Sequence, residues 1–163
     1  MPKGLIVIGY QGIGKSTWSG SRGYIDLESG NFWIGDKRYD DWYIPYCQTA
    51  MSLADQGYIV FTSSHKVVVD YLKTAPLPEN VGKVIIFCPR RTMKDEWIER
   101  LKERYERSKL EKDRKALLNA QDRFEDNIVE LVSSGLPAYQ PEAMDYDLPS
   151  IIDRAWRKYC LPC

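Results

Sequence analysis

The sequence predicts an α/β chain in which short apolar strands alternate with helices. Three observations carry that reading. The run 5–8 is rich in β-branched residues and apolar throughout, as in a strand covered on both faces. Further apolar runs lie at 24–27, 58–62 and 83–88, with turn residues or helix-compatible stretches between them. From Thr92 the texture changes: Met93, Trp97, Leu101 and Tyr105 recur every fourth residue among charged side chains, the period of an amphipathic helix.

The first strand leads into the most informative stretch. Gly9-Tyr10-Gln11-Gly12-Ile13-Gly14-Lys15-Ser16 spells G-x-x-x-x-G-K-[ST], a P-loop, with Thr17 next and a helix expected to follow. Its glycines let the backbone approach a polyphosphate. Successive N–H groups along Gln11, Gly12, Ile13 and Gly14 then point inward as an anion nest, and the new helix adds the positive end of its dipole. Lys15 reaches the β- and γ-phosphates, and the Ser16 hydroxyl ligates Mg²⁺. The motif implies a nucleoside triphosphate but leaves open what becomes of the γ-phosphate.

With 163 residues, 44% of them hydrophobic, the chain is expected to form a single domain over 1–163. Lys+Arg and Asp+Glu both number 23, so no global field attracts nucleic acid or an acidic membrane, and a nucleic-acid role needs a local patch. No membrane span or signal-peptide pattern is legible, and a cytoplasmic location is expected. Cys47 and Cys88 lie in apolar segments and read as core thiols. Cys160 and Cys163 have C-x-x-C spacing with no second pair, and read as a frayed, reduced tail.

In order, the helix after Gly14 is short because of Gly20 and Gly23, and the second strand ends near Asp26. Ligands of open α/β sheets bind at the carboxyl ends of strands, so Asp26 is placed for catalysis, for Mg²⁺ handling or simply to cap a turn. Phe32 and Trp33 open an aromatic connection, readable as core or as the walls of an acceptor pocket. A helix is expected over 40–56, with Asp40 as N-cap and Gly57 as stop. The third strand runs into Ser63, Ser64 and His65, and His65, the chain's one histidine, is either structural or part of a site. A short helix over 67–74, a loop at 76–78 and a fourth strand stopped by Pro89 follow.

Residues 92–95 resemble a capping box at the start of the first amphipathic helix, and a second helical stripe ends near Gly135. Arg100, Arg104 and Arg107 stand at i, i+4 and i+7 and share a face, suited to the charge that phosphoryl transfer spreads over the transferring group. A helical lid region is expected over about 92–134. A short fifth strand is expected around 143–146, and a last helix begins after Asp147.

The order of these pieces resembles small-molecule kinases of the adenylate, shikimate and gluconate kinase group, and most closely small phage-type nucleotide-kinase-like proteins. The likeness rests on 9–17, on 24–29 with Phe32 and Trp33, on 61–66, on 95–101 and on 148–152. It implies a three-layer P-loop NTPase fold with a five-stranded parallel sheet, ATP and Mg²⁺ on the loop, and an acceptor over the second and third strands. Asp26 matches the acid that such kinases place near acceptor or metal; Arg100 and Arg104 match basic residues leading into the lid. The acceptor would meet Phe32, Trp33, Ser63 and His65. The third strand departs from the pattern, because 61–64 has no Asp at the Walker B place, so Mg²⁺ would lean on Ser16, water and Asp26 or Ser63.

Two functions lead at this point, and a nucleic-acid role comes third, because the charge is balanced and the arginines alternate with glutamates. One is an ATP-dependent phosphotransferase acting on a nucleoside, nucleotide or other small acceptor, with Lys15, Asp26, Arg100 and Arg104 as its catalytic residues. The other is a nucleotide-binding regulatory protein without acceptor turnover, whose helical arm serves a protein partner.

Overall fold

All six residues of Gly4–Gly9 are buried, which requires cover on both faces of that strand. The computed structural model describes residues 3–14, 23–27, 33–34, 37–38 and 40–161. In chain order these form β1 (Gly4–Gly9), β2 (Tyr24–Asp26), β3 (Trp33–Ile34), β4 (Lys37–Arg38), α1 (Tyr43–Asp55), β5 (Ile59–Thr62), α2 (Lys66–Thr74), β6 (Val81–Phe87), α3 (Lys94–Ser108), α4 (Glu111–Val132), β7 (Ala138–Tyr139) and α5 (Leu148–Cys160). Five strands make one all-parallel sheet in the order β2-β5-β1-β6-β7. The chain is therefore α/β, as its alternation of strands and helices predicts.

The register places the site. Leu5 to Ile8 pair with Ile59 to Thr62 on one side and with Lys83 to Ile86 on the other. β2 and β5 lie to one side of β1, β6 and β7 to the other, so the topological switch point falls at the carboxyl end of β1. Parallel α/β sheets bind ligands at that point, and 9–14 emerges there. α1 and α5 both pack on β1 and β6. α3 and α4 pack on each other across a two-residue elbow, where Lys109 takes a left-handed φ of 58°. They bury Trp97 and Leu101 from one helix, and Phe124, Ile128 and Leu131 from the other.

Four local expectations are corrected. The fifth strand is Ala138–Tyr139, paired with Ile86 and Phe87, and 142–145 is bend and turn. The short β-compatible pair after Pro137 reaches the sheet edge first, and Pro141 closes it. α1 begins at Tyr43 with Trp42, not Asp40, at its N-cap; Pro45 then sits in the first turn, where its missing N–H leaves no bond unmade. The capping box at 92–95 does not form, because Arg91–Met93 is a 3-10 turn and Met93 occupies the N-cap. Cys160 is no frayed tail: it is 1% exposed, its Sγ lies 3.2 Å from the Gly4 carbonyl, and the last turn of α5 is thereby seated on β1. The expected caps at Gly57, with φ 98°, and at Asp147, which accepts from Ser150 Oγ at 2.7 Å, are both present.

Candidate functional site

The loop after β1 is held from outside through its carbonyls. Trp97 Nε1 donates to the Gln11 carbonyl at 2.8 Å, Arg100 donates to that of Gly12 at 3.1 Å, and the Tyr146 hydroxyl donates to that of Ile13 at 2.5 Å. Three consecutive carbonyls thus point at α3 and at the segment before α5. Gly12 and Gly14 have φ of 83° and 94°, a conformation that costs an L side chain 1–2 kcal/mol or so; at Gly12 a Cβ would also lie 2.8 Å from Leu101. Among the described residues no acceptor takes the N–H groups of Gln11 or Gly12, and 11–12 form a tight turn. Carbonyls tied back and N–H groups unclaimed are the two halves of an anion nest.

The three clamp residues also hold one another. Arg100 lies 4.5 Å from the Trp97 ring and 5.3 Å from that of Tyr146, and the two rings are parallel within 5°. The guanidinium gives its remaining bonds to the Tyr146 hydroxyl at 3.0 Å and the Met144 carbonyl at 2.8 Å. Burial raises the Tyr146 pKa, and the nearby Arg100 pulls the other way; the phenol therefore stays a donor through neutral pH. Beneath the loop, Tyr10 is buried against Phe124, edge to face at 5.8 Å. Its hydroxyl lies near Asn127 and Gln11, outside hydrogen-bonding geometry, and burial raises its pKa.

Two clefts flank the loop. The first, of about 630 Å³, is lined by Gly12 to Gly14, by Arg100, Arg104 and Arg107, and by 144 and 146–149. The three arginines that share a helical face do share a cleft. Within it Arg104 is anchored, its Nε 3.1 Å from the buried Asp113, whose other oxygen accepts from Ser108.

The second cleft, of about 690 Å³, runs between Gly9 and Gln11, the segment 63–66, and one face of α4. Gln11 reaches across to α4, donating to Asn119 Oδ1 at 3.1 Å, and Asn127 donates to the same oxygen at 2.7 Å. Ser63 and His65 line this cleft, with Ser63 Oγ 2.8 Å from His65 Nδ1, and Trp42 stands edge-on to the His65 ring at 5.3 Å.

The carboxyl ends of β2 and β5 are joined by Tyr46, whose hydroxyl donates to the Leu27 carbonyl and accepts from Ser63 N–H, both at 2.8 Å. Burial pushes its pKa up to about 12, with the Asp26 charge a minor contribution in the same direction. Asp26 ends β2 opposite Phe61 and is half-buried. Thr62, at the end of β5, is fully buried.

Gly9, Gln11, Gly12, Ile13 and Gly14 lie in the segment at the end of β1, and Ser63, His65, Arg100 and Arg104 line the clefts on its two sides. Lys15, Ser16, Thr17 and Phe32 lie outside the described residues. Trp33 belongs to the antiparallel β3–β4 ribbon, paired with Arg38. Trp97, Tyr146 and Tyr46 escape sequence reasoning: each reads as an apolar member of a stripe or loop, and only tertiary contact reveals the polar atom in use. The one available signal is that Trp97 stands three residues before Arg100, on the same helical face.

Among the described residues no group of three or more His, Cys, Asp or Glu side chains is placed to hold a metal ion, and no helix is long and apolar enough to cross a membrane. No protein-family model matches this chain, and no curated protein matches it either.

Proposed function

We propose that the chain is an ATP-dependent phosphotransferase of the P-loop kind, acting on an acceptor that binds between the loop and α4. The observation that carries this is the loop itself: three successive carbonyls are drawn outward by Trp97, Arg100 and Tyr146, and the N–H groups between them are left for an anion. A lone anion would need one such nest. The clefts on both sides fit a larger ligand, with the nucleotide along the loop and an acceptor on the Ser63 side. In this reading Gly12, Gly14 and Lys15 hold the phosphates, and Arg104 and Arg107 meet the charge that develops on the transferring group. An acceptor oxygen bonds to the γ-phosphorus as its bond to the bridging oxygen breaks, ADP departs, and Asp26 takes the acceptor's proton.

Magnesium ions usually arrive with phosphates and take only one or two protein oxygens. Ser16 and Asp26 are the donors the chain offers. The metal's chemistry there is to neutralise phosphate charge.

The test is release of ADP from Mg·ATP against a panel of nucleosides, nucleoside monophosphates and small hydroxy acids, with Lys15→Ala as the blank. Turnover that this substitution removes supports the reading, and equal turnover in the variant overturns it. Thr62 in place of an acid at the end of β5 favours a second reading, a nucleotide switch without turnover. ATP binding abolished by Lys15→Ala, with silence across the panel, assigns that reading instead.

A further inference from the structure

The cleft beside Ser63 does not end at the loop. It shares Ser64, Lys66, Asn127 and Glu130 with a smaller cavity of about 180 Å³ that continues between α2 and α4 to Lys73 and Ser134. Residues of α4 line this groove at every turn, from Glu111 through Lys115, Asn119, Arg123 and Asn127 to Leu131. α4 is kinked at Arg123, whose φ of −135° and ψ of 17° are non-helical, so its two arms together reach at most roughly 33 Å at 1.5 Å per residue. An acceptor the size of one nucleotide, seated at the loop, occupies only one end of it.

The lining states what the rest is for. Five cations, Lys66, Lys73, Lys112, Lys115 and Arg123, face three carboxylates, Asp70, Glu111 and Glu130. Those carboxylates are held locally: Asp70 by Lys66 at 2.7 Å, Glu111 by Arg114 at 2.8 Å and Glu130 by Arg123 at 3.4 Å. Exposed pairs of this kind contribute at most about 1 kcal/mol, so a phosphate readily takes over the cation. Amides of Asn119 and Asn127 and hydroxyls of Ser63, Ser64 and Ser134 fill the intervals, and His65 adds an exposed ring on which a base can stack. The apolar lining is limited to Ala116, Val69 and Leu131, without the aromatic anchors that a protein partner buries. Meanwhile Asp95, Glu96, Glu99 and Glu103 gather along α3. Both helices of the hairpin carry charges of both signs, but along this groove five cations face three carboxylates, a local excess of positive charge on a chain with no net charge.

We infer that this groove binds single-stranded nucleic acid, with a strand end at the phosphate loop. That the terminal hydroxyl is the phosphoryl acceptor rests on the phosphotransferase reading; binding of the strand does not. In that step the terminal oxygen bonds to the γ-phosphorus, the β–γ bridging bond breaks with its electron pair leaving on ADP, and the hydroxyl proton passes to Asp26. At a stacked rise of about 3.4 Å the groove spans at most about ten nucleotides.

The test is fluorescence anisotropy of end-labelled oligodeoxynucleotides of two to sixteen residues, without ATP, from 50 to 200 mM salt. Affinity should rise with length and level off by about ten nucleotides. Three phosphate contacts predict a slope of about −2 in log affinity against log salt, a loss of roughly 20-fold across that range. Lys73→Gln and Lys112→Gln should each flatten the slope by about 0.7, at an unchanged thermal midpoint, whereas Lys158→Gln on the exposed side of α5 should not. No binding at 50 mM salt, equal binding of a duplex, or equal effects of all three substitutions would overturn the groove. Oligonucleotide ends with 5′ or 3′ hydroxyls are then offered with Mg·ATP. A strand that binds but gains no phosphate removes the acceptor assignment and leaves the groove; transfer to free nucleosides without any strand binding removes the groove and leaves the phosphotransferase.

Discussion

Replacing Tyr146 by Phe isolates the loop clamp from the packing around it. The ring stacked on Trp97 and tilted against Phe87 is kept, and only the hydroxyl is lost. That oxygen donates to the Ile13 carbonyl and accepts from Arg100 at 3.0 Å. A neutral hydrogen bond contributes about 0.5–1.5 kcal/mol and one to a charged group about 1.5–3. Arg100 keeps its bonds to Gly12 and Met144, so the loss falls mainly on Ile13, whose carbonyl is freed to rotate, in the phosphotransferase reading toward the phosphates. A cost of about 1.4–2 kcal/mol corresponds to a 10- to 30-fold weaker affinity for Mg·ADP. Calorimetric titration of wild type and Tyr146→Phe measures it, with Trp97→Phe, which deletes the donor to Gln11, as an independent arm. If both variants bind Mg·ADP as tightly as wild type, the carbonyl clamp does not set the loop and the reasoning fails.

Further outcomes follow from the same contacts. Lys15→Ala should abolish ATP binding while circular dichroism and the thermal midpoint stay at wild-type values. Tyr46→Phe should destabilise the fold by about 1–3 kcal/mol, because Leu27 and Ser63 both lose their bridge; chemical denaturation reads this directly. Burial pushes the thiols of Cys47 and Cys88 and the phenol of Tyr46 up to about 12, from ordinary values of 9.0 and 10.0. The folded state then binds more protons than the unfolded one above pH 9, so stability should fall with rising pH, first through the thiols and from pH 10 through Tyr46 as well, by up to about 1.4 kcal/mol per pH unit per group. A denaturation midpoint that holds level from pH 8 to 11 would contradict this. Cys47, Cys88 and Cys160 are all buried, so a short alkylation pulse on native protein should modify at most one of the chain's four thiols by mass spectrometry.

The sheet was legible because buried parallel strands repeat one simple pattern, the continuous apolar run, and because Gly57 and Asp147 punctuate helices by local chemistry alone. The loop was legible for the same reason, since Gly12 and Gly14 are required by backbone angles that few other residues adopt. β7 was misplaced because two residues carry no period, and only pairing with Ile86 and Phe87 makes them a strand. Cys160 reads as a tail until α5 is docked on Gly4. The clamp was invisible for a deeper reason: Trp97 lies 86 residues from Gln11, and Tyr146 133 residues from Ile13. Hydropathy assigns Trp and Tyr to the core, where Trp97 lies and against which the half-buried Tyr146 packs, and says nothing about the one polar atom each carries to the backbone of the loop.

The α3–α4 hairpin links these features. Its elbow needs a left-handed residue at Lys109, and Asp113, in the first turn of α4, holds the turn by accepting from Ser108 and pairing with Arg104. Arg104 is also a wall of the arginine cleft, one helical turn beyond Arg100, which holds Gly12. The Asp113 carboxylate is buried while Arg104 is 37% exposed, so removing the carboxylate costs less than the about 3–5 kcal/mol of a fully buried pair, yet one carboxylate ties the arginine face of α3 to the first turn of α4. Both helices of the hairpin thereby stay in register with the loop. An Asp113→Ala variant should loosen both clefts together, whereas Arg107→Ala, one turn further along α3, should affect the arginine cleft alone.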